Sequence, residues 1–186
     1  MKKELKLYNM IFPIFILEVF NPLFIASVLI GNFLIDFLVL TLISFIFMKK
    51  FDRSFLKKYV YKVWPYGLLA DLIGVGWIVV AGEIGIRLAA GIRYLFPGIG
   101  NSFLDEIITG AAKGYWGDIY YNAFGVMFIM TGVIVAGIAI FRFNYFRVLN
   151  HHLSFTERQR KIACGILAVL TAPYTFLLSN SFTLGH

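Results

Sequence analysis

The sequence predicts an all-α integral membrane protein with about five transmembrane helices, and three observations carry that expectation. First, 60% of the 186 residues are apolar and only 15% are charged. A soluble domain is about 25% charged, and a globule of this size lacks the interior to hide so much apolar surface. Second, the apolar residues come in runs long enough to cross hydrocarbon, which takes a helix of about 20 residues. Third, most of the 17 Lys and Arg gather in clusters between the runs. A soluble enzyme, a disordered chain and a disulfide-stapled secreted module are thereby excluded.

The elements follow in chain order as one membrane domain over residues 1–186. Lys2, Lys3 and Lys6 precede a stretch from Met10 to Met48 that contains no Lys or Arg. As one straight helix this stretch would reach roughly 58 Å, about twice the hydrocarbon thickness, so it is predicted to fold back near Ile30–Asn32. That gives spans 9–30 and 32–48. A re-entrant hairpin, suggested by Pro13 and Pro22, is the alternative. Basic residues on both flanks place both ends on the cytoplasmic side. The stretch is too long for the apolar region of a cleavable signal peptide.

Residues 49–63 alternate cations with Phe51, Phe55, Leu56, Tyr59 and Val60. Helical spacing puts these apolar residues on one face, predicting a cytoplasmic amphipathic helix lying on anionic lipid rather than a nucleic-acid surface. Trp64-Pro65 is expected to open a third span, 65–81, with proline tolerated in the first turn. Residues 82–119 are too long for a simple connection. They read as an outer amphipathic hairpin, either a lid or a filler of a gap in the bundle. Its first helix carries the i,i+4 ion pair Glu83 and Arg87, and its second opens at Ser102-x-x-Asp105 after Pro97-Gly98. Leu104, Ile108, Ala111 and Tyr115 share a stripe on that second helix. Spans 120–141 and 155–178 complete the set, the last opened by a Ser154-x-x-Glu157 capping box and kinked at Pro173. With the N-terminus cytoplasmic and the C-terminus outside, only Arg87, Arg93 and Lys113 of all the Lys and Arg fall outside. This is the asymmetry expected of a protein in a prokaryotic plasma membrane, where cytoplasmic loops are basic.

The chemistry lies in polar groups within the runs. Glu18, Asp36 and Asp71 are carboxylates placed where lipid is expected, and an Asp at a helix centre costs about 2.5–3.5 kcal/mol on insertion scales. Asn21 stands i,i+3 from Glu18, and Asn32 stands i,i+4 from Asp36. No cation in the spans neutralises these acids, so the set can bind a cation or carry a proton. The alternative is a structural role, with hydrogen bonds between helices. Ala70-x-x-x-Gly74, Gly125 with Gly132, and Ala168-x-x-x-Ala172 allow close helix approach, within the chain or between copies. The single Cys164 can form no internal disulfide and reads as an inert core thiol. His151-His152 lack partners at metal-ligand spacing. No phosphate loop, HExxH, GxSxG or CxxC is present, so no catalytic residue, metal or cofactor is assigned. The expected function is a small transport or channel protein with an intramembrane acidic site. The alternatives are a non-catalytic subunit or scaffold of a membrane complex, as a homo-oligomer or with a membrane partner, and, with least behind it, an enzyme acting on lipid.

Overall fold

A computed structural model describes residues 22–95, 102–115, 120, 122–150 and 155–177. Helix accounts for 91% of them, there is no strand among them, and four helices are long and apolar enough to cross a membrane. The elements are α1 (Pro22–Met48), α2 (Arg53–Leu95), α3 (Ser102–Tyr115), α4 (Ala123–Phe143) and α5 (Glu157–Leu170). A π-helical turn, Asn144–Val148, extends α4, and a 3₁₀ turn, Tyr174–Leu177, follows α5. Of the predicted first span, residues 9–21 lie outside the described residues.

Three expected boundaries differ. The turn at Ile30–Asn32 is absent, and α1 runs unbroken for 27 residues. Gly31 costs a helix about 1 kcal/mol, whereas a break in apolar surroundings would leave backbone groups unsatisfied at several kcal/mol each. Asn32, a potential turn former, directs its side chain to α2 instead.

The second difference is that α2 begins at Arg53, not at Pro65, and continues past Gly82 for 43 residues, about 65 Å. Its N-terminus is held by Asp52, whose Oδ1 accepts the Phe55 N–H at 3.0 Å. The buried Ser44 hydroxyl donates to Lys50 O at 2.8 Å and accepts the Asp52 N–H at 3.3 Å, tying down the turn between α1 and α2. Of the predicted apolar face, Phe51 stays exposed, but Phe55, Leu56, Tyr59 and Val60 are buried in the core, with Val63, Leu40, Ile43, Ile140 and Leu149. It therefore packs inside the bundle rather than on lipid. That burial offsets the roughly 3 kcal/mol that an interior proline costs. The segments expected at 49–63, 65–81 and 82–96 thus merge into one helix over Arg53–Leu95.

The third difference is at α5, where the capping box is Thr156-x-x-Gln159, two residues beyond the expected one. Phe155 sets that register by packing on Phe47 and Phe55, with ring centroids 5.6 and 5.9 Å apart. The helix stops at Leu170, so Pro173 ends it rather than kinking it. Proline cannot continue the hydrogen-bond ladder, and the Val169 carbonyl instead accepts the Tyr174 hydroxyl at 2.7 Å.

Helix α4 packs against α2, α3 and α5, and α1 packs against α2 and α5. Close approach of α2 and α4 depends on glycine. A Cβ at Gly74 would stand 2.8 Å from Gly132 O, 2.9 Å from Ala136 Cβ and 3.1 Å from Phe176 Cε2. At the far end, a Cβ at Gly114 of α3 would stand 2.9 Å from Gly125 Cα. There Asn122 caps α4 through the Gly125 N–H and donates to Glu106 O at 3.0 Å. The Ala70/Gly74 and Gly125/Gly132 faces are therefore filled within the chain.

Gly74→Ala should lower the melting temperature in detergent, by the equivalent of about 1–3 kcal/mol for an overpacked contact. Gly76→Ala, where a Cβ meets nothing within 4 Å, should raise it slightly, by up to about 1 kcal/mol of helix propensity. Equal effects would contradict this packing. At the α1–α2 turn, the Phe55 N–H, and secondarily Lys50, hold the Asp52 carboxyl below its ordinary range. Its stabilisation is present above that range and lost as pH falls through the lowered value. Asp52→Ala should therefore destabilise at neutral pH and flatten the acid dependence, whereas Asp52→Asn should retain most of the stability because it keeps the cap.

Candidate functional site

Helical periodicity puts Asn32 and Asp36 one turn apart on α1, and Gly67 and Asp71 one turn apart on α2. The two pairs meet and together line a pocket of about 130 Å³, whose remaining wall is the broken end of α5, from Leu170 to Thr175. At about 30 Å³ per water, the space suits a few waters or one partly hydrated ion.

Asn32 Nδ2 donates to Asp71 Oδ2 at 3.1 Å. The second oxygen, Oδ1, is buried without a hydrogen-bond partner. Asp36 is 3% exposed, lines the pocket and has no hydrogen-bond partner among the described residues. Its Oδ2 lies 3.4 Å from where a Cβ on Gly67 would stand, so the absent side chain leaves that oxygen approachable. No Lys, Arg or His lines the pocket. Buried carboxylates ordinarily have a cation or several donors beside them, because leaving them unmatched costs free energy. Here one Asn amide serves Asp71 alone, and Asp36 has no donor among the described residues.

The third wall adds negative potential. Helix α5 ends at the pocket, and the last carbonyls of a helix carry the negative end of its dipole. Thr171 donates both its N–H and its hydroxyl to Leu167 O, at 2.9 and 2.8 Å. Thr175 and the non-helical backbone around Pro173 lie beside it. Every donor atom available to a ligand is therefore oxygen, a set that suits hard cations rather than soft metals. Among the described residues, no three His, Cys, Asp or Glu gather into a metal cluster.

The sequence-predicted residues sort clearly. Asn32, Asp36 and Asp71 converge, whereas Glu18 and Asn21 lie outside the described residues, as do His151 and His152. Glu83 and Arg87 stand 3.7 Å apart and largely exposed, away from the pocket, where such a pair contributes under about 1 kcal/mol. Cys164 is buried in the core. Gly67, Thr171 and Thr175 were missed. Their signal was Pro173 inside an apolar run, which marks a discontinuous helix with freed backbone groups.

Comparison with family models, with curated proteins and with solved structures finds no match to this chain.

A carboxylate held without partners lowers stability, and its removal should raise it. Asp36→Leu is expected to increase the melting temperature in detergent, by about 1–3 kcal/mol of relieved desolvation. A structural carboxylate that bridges helices would give the opposite sign, so a marked drop would argue against a ligand-binding role.

Proposed function

We propose that this chain is a small membrane transport or channel protein whose intramembrane acidic site, Asp36 and Asp71, takes a hard cation or a proton. The observation that carries the reading is the pocket itself: two unneutralised carboxylates facing the non-helical end of a third apolar helix. Broken helices whose unwound carbonyls and C-terminal ends coordinate ions near the midplane are how transporters hold cations in lipid. Asp36 lies next to the midpoint of the apolar segment Ala26–Met48, and Asp71 close to that of Arg53–Ile92. Ionisable residues at such depth mark ion pathways or proton relays.

The orientation proposed places the α1–α2 turn and the start of α5 in the cytoplasm. Phe155 joins these two at one end of the bundle, near Lys49, Lys50, Arg53, Arg158 and Lys161. Arg87 and Lys113 belong to the opposite end, where α2 and α3 pack together. This arrangement follows the rule that cytoplasmic loops are basic. The scaffold alternative drew on small-residue faces, and those of α2 and α4 are already occupied within the chain.

Purified protein in liposomes is expected to carry sodium, potassium or proton flux, followed with entrapped ion-sensitive dyes. Asp71→Asn and Asp36→Asn should each reduce the flux at least about tenfold, equivalent to 1.4 kcal/mol or more. Glu83→Gln, at the exposed outer pair, should leave it intact. Absence of flux across all three ions, or indifference to both Asp substitutions, would overturn the proposal.

A further inference from the structure

A second concavity, of about 540 Å³, runs between α1 and the first turns of α2 and has a different chemistry. Leu56 and Val60, both buried, form its floor, and Phe33, Leu34, Phe37 and Tyr61 form its sides. The groove is open along the bundle surface, with Leu34 52% and Tyr61 63% exposed. Arg53 and Lys57 close one end. Their i,i+4 spacing brings both cations to the same edge of α2, and among the described residues neither is in an ion pair. The neighbouring carboxylate, Asp52, is held 3.7 Å from Lys50 and by the Phe55 N–H.

We propose that this groove binds one anionic phospholipid, its phosphate at Arg53 and Lys57 and one acyl chain along Phe33, Leu34 and Phe37. An apolar trough with two free cations at one mouth is complementary to an amphiphile whose charge and hydrocarbon are joined end to end. Of the basic residues at this end of the bundle, Arg53 and Lys57 are the two that line the groove. Free phosphate would engage only the mouth, and nucleic acid would leave the aromatic walls unused. The inference is independent of the acidic pocket, since no residue lines both sites.

The test is native mass spectrometry of detergent-purified protein, delipidated and then titrated with phosphatidylglycerol or phosphatidylcholine of the same acyl chains. Phosphatidylglycerol should be retained at one molecule per chain and roughly thirtyfold more tightly than phosphatidylcholine, the equivalent of about 2 kcal/mol for the two cations. Arg53→Gln with Lys57→Gln should abolish that preference, while Lys58→Gln with Lys62→Gln should preserve it. Leu34→Trp, which fills the groove at an exposed position, should weaken both lipids without changing the melting temperature. Soluble glycerol phosphate should not compete. Equal retention of the two lipids, competition by glycerol phosphate, or loss of preference only in the Lys58/Lys62 variant would each overturn the proposal.

Discussion

The arrangement of this molecule depends on one close contact, at Gly74. Because that residue has no side chain, the Gly132–Ala136 turn of α4 seats directly against α2, and Phe176 of the turn after α5 rests on the same spot. The contact joins α2 to α4, the helix that also packs against α3 and α5. It also brings the broken end of α5 to within one helical turn of Asp71. Without it, α4 and the 3₁₀ segment would stand off by the width of a side chain and the pocket would lose its third wall. In apolar surroundings helices gain little from hydrophobic exclusion and associate through such close packing, so a single glycine can set the geometry of three elements.

The pocket is organised against stability. One Asn amide serves Asp71, another carboxylate is buried beside it, and the adjoining helix presents its carbonyl end. Each feature would be improved, for stability alone, by a cation or an apolar replacement. In the function proposed, a positively charged ligand supplies the missing interactions on binding. Gly67 leaves Asp36 Oδ2 uncovered by a side chain, and the interruption at Pro173 brings Thr171 and Thr175 to the same pocket.

Much of this was legible from residue type and position. The apolar runs gave the all-helical class and the presence of long apolar helices, though not the bounds of α1, α2 and α5, and Asp36, Asp71 and Asn32 stood out as polar groups in apolar stretches. Their meeting was not legible, because it rests on the register between α1 and α2. That register follows from the Ser44–Asp52 turn and from the burial of Phe55, Tyr59 and Val63, both tertiary facts. The local signals that misled were the strong ones: Gly31-Asn32 as a turn and Pro65 as a helix start. Each is a propensity of about 1–3 kcal/mol, and each was outweighed by packing and by the cost of leaving backbone groups unpaired among apolar neighbours. The capping box at Ser154 failed for a narrower reason, since Thr156 offers the same spacing and Phe155 decides between them.

The central claim is that Asp36 and Asp71 together hold a cation. Infrared difference spectroscopy of the protein in lipid tests it most directly, with lithium, sodium, potassium, magnesium and calcium exchanged over the same film and the carboxyl stretching region recorded. Binding at the pocket predicts carboxyl bands that shift with the identity of at least one cation and are lost in both Asp36→Asn and Asp71→Asn. Spectra that are the same in every cation, or shifts that persist in the two variants, would contradict it.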